Sequence, residues 1–288
     1  MLCRYKWVRN YNMNILCFIN GEIKNINEGS IGLKDLALQR GYGVFDYART
    51  FNRKLFHFED HLERFRRSAK ELRLDLNYTN AQITENAETL LKGSDLKNPA
   101  LRLILTGGYI YSPSGNFNPN FIMIAEELPT YPEENYTHGV KLLTYEYQRE
   151  LPHVKSINYL NDIRLDPLRR EKNVFDILYY FQNGITECPR NNFFVFINDV
   201  LITPKDFLLH GVTRKVVLEM ANKYWKVEER KLELAELNSA DEAFITSTTK
   251  SIMPVTVIDD KKIGNGTVGM KTQKLIKLFN DYVLQFSR

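Results

Sequence analysis

The sequence predicts a two-domain protein of the α+β or α/β class. A chain of 288 residues is longer than one small hydrophobic core usually serves. Both helical and strand-like hydrophobic periods recur along it. A polar stretch with prolines at 127–139 separates a part rich in hairpins from a part in which strands and helices alternate. We therefore predict domains at 13–130 and 139–288, joined by a linker at 131–138, with a ligand site between them.

The elements before the linker follow from short-range patterns. Asn20-Gly21 is a hairpin turn between apolar runs at 15–19 and 23–26. Apolar residues then step by four and three along a helix, and leucines alternate with other residues in a later strand. The remaining predicted elements of this part are strands at 42–51, 55–58, 101–106 and 121–125, and helices at 58–74 and 80–91.

Beyond the linker the same patterns alternate. The glycine at 211 precedes an apolar-periodic helix, and a long periodic segment closes the chain. The predicted strands are 140–147, 176–181, 193–197, 200–203, 242–246 and 255–258. The predicted helices are 159–172, 212–224 and 268–286.

The amino-acid composition argues against several classes of function. The chain has 43% apolar and 26% charged residues and a mild net charge of +4. A dedicated nucleic-acid binder is expected to have a clustered basic face, so we expect no nucleic-acid partner. Cys3, Cys17 and Cys188 are unpatterned and predict no disulfide framework. His57 and His61 are the one pair at metal-ligand spacing, but they open a helix, and we predict no metal.

Membrane association is also not expected. No apolar run reaches the ~18 residues that a membrane span needs. The first twelve residues are basic, but the apolar stretch after them, at 15–19, is too short for a signal peptide. Met13 is an alternative start of the protein, because the first recognisable structural pattern in the sequence begins just after it. We expect a cytoplasmic protein.

The most informative feature is a set of polar motifs in a fixed order. Lys155 lies in V-K-S-I-N, Glu187 in T-E-C-P-R-N, and Arg64 in H-L-E-R; G-V-T-R at 211–214 and T-S-T-T at 246–249 complete the set. A lysine amine can form a Schiff base. A carboxylate can pair with a pyridinium nitrogen, and turns with amides, hydroxyls and an arginine hold phosphate. A pyridoxal 5'-phosphate enzyme needs this combination.

These residues carry a family resemblance. The chain resembles the class IV aminotransferases, pyridoxal 5'-phosphate enzymes of fold type IV. They include D-amino acid aminotransferase, branched-chain aminotransferase and aminodeoxychorismate lyase. The resemblance extends over 18–282 through I-N-G-E, R-G-Y-G-V-F-D, H-L-E-R, K-S-I-N, T-E-x-x-x-N, G-V-T-R and T-S-T-T-x-x-I-x-P-V. It implies a two-domain, D-amino acid aminotransferase-like fold and a homodimer.

The resemblance also implies roles. Lys155 matches the Schiff-base lysine, which also moves the substrate α-proton, and Glu187 matches the partner of the pyridinium nitrogen. Tyr159 matches a position near the cofactor, with an ordinary helix residue as the alternative. The residues that match phosphate contacts are Arg64, Val212, Thr213, Ser247 and Thr248. For Arg64 the alternative is an ion pair with Asp60, one helical turn earlier.

The substrate pocket departs from the family pattern. D-amino acid aminotransferases place an arginine and a histidine in the loop after the strand that ends here at Thr106. This loop reads T-G-G-Y-I-Y-S-P-S-G-N and has neither. We hypothesise a replacement clamp for substrate carboxylates, because arginine binds carboxylates bidentately. Its candidate residues are Arg40, Arg102, Arg190 and Thr249. The alternative for each arginine is an ordinary ion pair.

The sequence thus predicts a homodimeric, pyridoxal 5'-phosphate-dependent aminotransferase that acts on an amino acid and a 2-oxo acid. D-Alanine or D-glutamate with 2-oxoglutarate is the first choice. A branched-chain L-amino acid aminotransferase and then 4-amino-4-deoxychorismate lyase are the alternatives. A binding protein that has lost catalysis is a rival from another class, and the presence of Lys155 and Glu187 argues against it.

Overall fold

The computed structural model describes residues 14–110 and 117–287. The chain forms two compact units. The first unit contains the chain up to Pro129, the segment Val154–Asn158 and Ser287; the second contains Thr130–His153 and Tyr159–Phe286. The suggested start at Met13, the basic segment before it, Cys3 and part of the loop after Thr106 lie outside the described residues.

The first unit is built on one antiparallel sheet. Its strands are β1 (Leu16–Ile19), β2 (Glu22–Asn25), β3 (Gly43–Phe51), β4 (Lys54–Leu55), β5 (Pro99–Thr106), β6 (Tyr109–Ile110), β7 (Phe117–Asn118) and β8 (Phe121–Glu127). Its helices are α1 (Leu36–Arg40), α2 (Phe58–Glu71) and α3 (Asn80–Gly93), with a 3-10 turn at Ile26–Glu28. The strand order is β2-β1-β8-β5-β3-β4, and β6 pairs with β7 in a separate two-stranded sheet.

One face of this sheet forms the core of the first unit. β5 alternates as predicted, with Leu101, Leu103 and Leu105 fully buried and Arg102 only partly so. The buried faces of α2 and α3 pack against these leucines in a single hydrophobic cluster. Thr79 begins α3 with a capping box, its hydroxyl accepting from Gln82 N at 3.2 Å.

The segment Val154–Asn158 joins the first unit through β3. Ser156 lies opposite Val44 in an antiparallel bridge. On either side of the bridge, Phe45 N donates to Lys155 O at 2.9 Å and Ile157 N donates to Gly43 O at 3.1 Å. Backbone pairing therefore places Lys155 beside β3, although its position in the sequence lies beyond the predicted linker.

The second unit is built on a mixed sheet. Its strands are β9 (Val140–Glu146), β10 (Asp176–Phe181), β11 (Gly184–Ile185), β12 (Glu187–Cys188), β13 (Asn191–Ile197), β14 (Val200–Thr203), β15 (Lys226–Glu229), β16 (Leu232–Glu233), β17 (Glu242–Ser247), β18 (Ser251–Ile258) and β19 (Lys261–Lys262). Its helices are α4 (Glu134–Thr137), α5 (Leu160–Arg164), α6 (Asp166–Glu171), α7 (Val212–Ala221) and α8 (Met270–Phe286), with a 3-10 helix at Leu234–Ser239.

The sheet order of the second unit is β15-β14-β13-β17-β18-β9-β10-β11-β16, with β12 beside β13 and β19 beside β18. β9 runs parallel to both β10 and β18, and β14 runs parallel to β15. Its core is apolar, with Phe193, Val195 and Ile245 among the fully buried side chains.

Two local predictions were wrong. The helix predicted at 159–172 is divided into α5 and α6, with Pro167 in the first turn of α6. Proline has no N–H to continue the hydrogen bonds of the preceding helix, and its ring clashes with the earlier turn. The strand predicted at 55–58 ends at Leu55, because His57 adopts a left-handed conformation (φ 50°) and α2 begins at Phe58.

Two further observations concern membrane spans and cysteines. Across residues 14–110 and 117–287, no helix combines the length and the apolar composition that crossing a bilayer requires. In the same part of the chain Cys17 and Cys188 are buried free thiols.

Candidate active site

Lys155 is held through its main chain between two elements of the first unit. Its carbonyl accepts from Phe45 N of β3, and its amide donates to Ser68 Oγ of α2 at 3.1 Å. The half-buried side chain reaches over an aromatic ring, with Nζ 4.6 Å from the centroid of Phe45. The backbone of this lysine is therefore fixed on two sides, while its amine lies beside the ring of Phe45 on β3.

Arg64 binds a carboxylate of β3. Its Nε donates to Asp46 Oδ2 and its Nη2 to Asp46 Oδ1, both at 2.8 Å. His61, three residues earlier on α2, has Nδ1 at 2.7 Å from Asp46 Oδ1. The alternative considered from the sequence was an ion pair of Arg64 with Asp60; here Asp60 contacts His57 Nδ1 at 2.8 Å. The Arg64 guanidinium thus lies in a buried cluster with Asp46 and His61.

The charges of this cluster follow from burial and pairing. Burial raises the pKa of Asp46, but Arg64 and His61 lower it by more, so the pKa lies well below its ordinary value. Burial is the main reason that the pKa of His61 is lowered, and Arg64 and Lys155 lower it further against the opposing effect of Asp46. At neutral pH we therefore assign a charged Asp46 and a neutral His61.

Glu187 is the corresponding buried carboxylate of the second unit. Arg149 Nη1 donates to its Oε1 at 3.1 Å. Its Oε2 accepts from Leu209 N at 3.0 Å and from Asn192 Nδ2 at 3.3 Å. Asn192 lies directly opposite Glu187 in the β12–β13 pair, and its Nδ2 also donates to Leu209 O at 2.8 Å. The carboxylate is thus oriented by three donors from separate parts of the second unit.

The G-V-T-R motif forms the start of α7. Val212 and Thr213 are the first helical residues, both buried, and no side chain caps the helix at Gly211. The first amides of a helix have no intrahelical acceptor and attract anions. A Cβ on Gly211 would lie 2.2 Å from Asn192 Oδ1. Asn192 therefore lies against both Glu187 and the predicted phosphate-binding turn.

The T-S-T-T motif ends β17 and continues into a turn. Thr246 lies opposite Asn192 in the β13–β17 pair. Its Oγ1 is buried and has no hydrogen-bond partner in the described part of the chain. Ser247 Oγ lies 3.5 Å from Thr249 Oγ1, and Thr248 occupies the turn between them. A buried hydroxyl without a partner is rare, and it marks this strand end as a place where a polar ligand group would fit.

Two other predicted residues lie near the Glu187 cluster in the second unit. Tyr159 immediately precedes α5, and the centroid of its ring lies 5.8 Å from Arg149 Cζ. Burial raises the pKa of Tyr159, and Arg149 opposes this shift. Arg190 donates to Asp162 Oδ2 from Nε at 2.9 Å and from Nη2 at 2.6 Å. Asp162 also accepts from Arg169.

The first-unit members of the hypothesised clamp bind different partners. Arg40 is exposed, and its Nη1 donates to the neighbouring carbonyl of Gln39 at 2.9 Å. Arg102 binds Glu126 bidentately, from Nε at 2.5 Å and from Nη2 at 2.9 Å. However, Arg102 Cζ lies 5.6 Å from the centroid of Phe45, the same ring that Lys155 Nζ approaches.

Comparison with known proteins decides the family. Residues 43–258 match the amino-transferase class IV family. The chain belongs to the class IV aminotransferase family. The D-alanine aminotransferase of Staphylococcus epidermidis (strain RP62A) is 31% identical over 279 residues, covering 94% of this chain and 98% of the relative. The D-alanine aminotransferase of Listeria monocytogenes serotype 4b is 28% identical, with 93% and 96% covered.

Solved structures confirm the fold of this class IV aminotransferase. The branched-chain amino acid aminotransferase of T.th., solved with pyridoxamine 5'-phosphate, superposes with a TM-score of 0.86 at 23% identity, covering 93% of each chain. The branched-chain enzyme of Escherichia coli gives a TM-score of 0.85 at 23% identity, with 92% of this chain and 93% of the other covered. The predicted fold type IV architecture is thus correct.

Sequence reasoning missed several residues of the two clusters in this class IV aminotransferase. They are Asp46, His61, Arg149 and Asn192. Two of them had a visible signal, since Asp46 ends R-G-Y-G-V-F-D and His61 begins H-L-E-R. Arg149 had none, because only the folded chain brings it to Glu187, 38 positions later.

Proposed function

We propose that this class IV aminotransferase uses pyridoxal 5'-phosphate to exchange an amino group between a D-amino acid and a 2-oxo acid. The observation that carries the cofactor assignment is the buried Glu187 carboxylate, oriented by Arg149, Leu209 N and Asn192. The D configuration is supported by relatives named D-alanine aminotransferase, which are up to 31% identical over almost the whole chain.

The donor set fits this cofactor. An aldehyde requires an amine, which Lys155 supplies. A ring nitrogen requires a fixed carboxylate, which Glu187 supplies. A phosphate requires several N–H and O–H donors. The chain offers Arg64, the first amides of α7 and the Thr246 hydroxyl, which has no partner among the described residues. When bound, the cofactor supplies a carbonyl that condenses with amines and a ring that accepts the electron pair released at the substrate α-carbon.

The role of Lys155 is to hold the cofactor and to move a proton. Its Nζ would take the α-proton of the amino donor and pass it to the cofactor carbon that carries the aldehyde, and in the second half of the exchange it would move a proton in the opposite direction. The main-chain bonds to Phe45 and Ser68 hold the lysine backbone beside β3 while its side chain moves. Nζ lies 4.6 Å from the centroid of the Phe45 ring.

The other residues bind and orient. Glu187 accepts a hydrogen bond from the ring nitrogen and favours its protonated form. We assign phosphate binding to the predicted set, with the hydroxyl of Thr246 added. These residues are Arg64, Val212, Thr213, Thr246, Ser247 and Thr248. Tyr159, held near Arg149, is assigned to the cofactor side of the second unit.

The substrate carboxylates are assigned to Arg40, Arg102, Arg190 and Thr249. Arg102 has the strongest support, because it lies against the Phe45 ring that Lys155 Nζ also approaches. Arg102 and Arg190 each use Nε and Nη2 to bind a carboxylate of the chain. A substrate carboxylate would therefore have to share each arginine with that partner or replace it. The proposal includes the homodimer implied by the resemblance, which sedimentation analysis tests.

A half-reaction without acceptor tests the proposed function. The protein is loaded with pyridoxal 5'-phosphate and mixed separately with D-alanine, D-glutamate, L-leucine and L-glutamate. The absorption spectrum then reports conversion of the cofactor from its aldehyde to its amine form. We expect conversion with both D-amino acids and release of one pyruvate or 2-oxoglutarate per active site.

Other outcomes identify the rivals. Conversion by L-leucine and L-glutamate alone would make this a branched-chain enzyme. Pyruvate released from aminodeoxychorismate without any acceptor would make it the lyase. A protein that binds no pyridoxal 5'-phosphate would contradict the proposal as a whole.

A further inference from the structure

The cluster around Asp46 is unusual for the core of a sheet. Val44 and Ala48, two positions away on either side, are both fully buried in the hydrophobic cluster of the first unit. Side chains two apart in a strand share a face, so Asp46 occupies a position where an apolar residue would be expected. It is itself 0% exposed.

The Asp46 carboxylate is surrounded by nitrogen donors. Oδ1 accepts from Tyr47 N at 2.7 Å and from Arg64 Nη2 at 2.8 Å, and it lies 2.7 Å from His61 Nδ1. Oδ2 accepts from Arg64 Nε at 2.8 Å. Because an ionised carboxylate only accepts hydrogen bonds, neutral His61 donates from Nδ1. His61 is 1% and Arg64 5% exposed.

Stability alone gives little reason for this arrangement. A buried ion pair is often no more stabilising than well-packed apolar residues of the same volume, because both charges lose their hydration. The bidentate contact has another effect, since two parallel hydrogen bonds fix the plane of the guanidinium. An arginine whose orientation is already fixed loses less conformational entropy when it binds an anion.

We propose that Asp46, supported by His61, is a positioning residue that orients Arg64 toward the cofactor phosphate. This inference rests on the proposed function and deepens it. Asp46 itself does not touch the cofactor; it acts through the Nε and Nη2 of Arg64. Loss of the carboxylate therefore weakens the recognition of the phosphate group and leaves the recognition of the pyridine ring unchanged.

The test compares two ligands that differ only in the phosphate. Apoenzyme of the wild type, Asp46→Asn and Asp60→Asn is titrated with pyridoxal 5'-phosphate and with pyridoxal, and binding is followed by absorbance and protein fluorescence. Asp60→Asn is the matched control, because it removes a different carboxylate–histidine contact, that of Asp60 with His57 at the start of α2. We expect Asp46→Asn to lose about tenfold or more in affinity for the phosphorylated ligand, the scale of one oriented charge-assisted contact. Its affinity for pyridoxal should stay within about twofold.

Several results would overturn the inference. Equal losses for both ligands would show a general structural role. Unchanged affinities, or tighter binding of the phosphorylated ligand, would show that orientation by Asp46 is not what governs phosphate binding. Failure of the cofactor assignment is a separate result, because the wild type would then bind neither ligand, whereas a different amino donor in the half-reaction would leave this comparison unaffected.

A second comparison keeps the test valid if Asp46→Asn does not fold. Arg64→Lys keeps the positive charge but cannot form the fork with Asp46, whereas Arg64→Gln removes the charge as well. Orientation predicts that Arg64→Lys loses phosphate-specific affinity nearly as strongly as Arg64→Gln. Near wild-type affinity in Arg64→Lys would show that charge alone suffices and would overturn the inference.

Discussion

The arginine–carboxylate pair Arg64–Asp46 of the first unit and the pair Arg149–Glu187 of the second are built in opposite ways. In the first unit, Arg64 donates one hydrogen bond to each carboxylate oxygen of Asp46. In the second, Arg149 contributes one bond of 3.1 Å to Glu187, whose other oxygen accepts from Leu209 N and Asn192. The side chain proposed to touch the cofactor is the arginine in one pair and the carboxylate in the other. In both, its partner fixes its orientation.

This difference shows that an arginine–carboxylate pair can orient either the arginine or the carboxylate for binding a ligand. The bidentate contact fixes a planar cation for an anion. Donors on both oxygens fix a carboxylate for an N–H group. The consequences of substitution should differ accordingly, with loss of binding from the first pair and loss of rate from the second.

The largest effect is expected from Lys155→Ala, which removes the amine that we propose as the Schiff-base group. Transamination should fall by at least about a thousandfold, because nucleophile and proton carrier are lost together. Borohydride reduction of the wild type with pyridoxal 5'-phosphate, followed by mass spectrometry, should show the cofactor mass on the peptide that contains Lys155. Label on another lysine would contradict the assignment.

Glu187→Gln should separate rate from binding. We expect kcat with D-alanine to fall about a hundredfold, the scale of one well-placed acid–base group. Affinity for pyridoxal 5'-phosphate should fall by less than about tenfold, since the phosphate contacts of the proposal remain. Stopped-flow half-reactions and apoenzyme titrations measure the two quantities. Glu229→Gln, which breaks the Arg214–Glu229 pair of the same unit, is the control. An affinity loss as large as the rate loss would remove the contrast between the pairs.

Stability measured as a function of pH should reveal the protonation of His61, which contacts Asp46 of the first pair. Its pKa is lowered mainly by burial, so the unfolded chain binds more protons than the folded chain as pH falls below about 6.5. The free energy of unfolding should therefore decrease from pH 7 toward pH 5, by up to about 1.4 kcal/mol per pH unit. Urea unfolding at several pH values measures the slope. His61→Gln should flatten it, and a slope equal to that of the wild type in this variant would contradict the assignment.

The smallest effect on stability is expected from Arg102→Gln. Its pair with Glu126 is bidentate like that of Arg64, but both side chains are more than a quarter exposed. Such pairs contribute about 1 kcal/mol or less. Under the proposed clamp, the KM for D-glutamate should rise more than that for D-alanine, because only the former has a second carboxylate. Equal KM values in variant and wild type would remove Arg102 from the substrate site.

Much of the fold was predictable because its signals are local. The strands at 176–181 and 200–203 have the predicted bounds, and the apolar alternation of β5 set its buried face. Gly211 correctly predicted the start of α7. The break at Pro167 had a signal in the sequence, because proline disrupts a helix interior, and the helix predicted at 159–172 did not take it into account. The short pairing of β11 with β16 was missed, because its partners are distant in the chain and no local pattern connects them.

The candidate site divides in the same way. The motifs predicted the residues assigned to the cofactor, which remain proposals. The partners that orient them could not be predicted, because each comes from another element. Asp46 meets Arg64 18 positions later, and Arg149 meets Glu187 38 positions later. The charges are visible in the sequence, but which elements pack together is not known before the chain is folded.

Gly211 places a limit on protein engineering. Serine, threonine, aspartate and asparagine are the preferred residues before a helix, and glycine there is usually open to improvement. Here a Cβ would collide with Asn192 Oδ1, and Asn192 cannot turn away without releasing Glu187 and Leu209. A library that randomises this position should return glycine alone among active clones. The start of α7 thus has no capping side chain because Asn192 must stay in contact with Glu187, 24 residues before Gly211 in the chain.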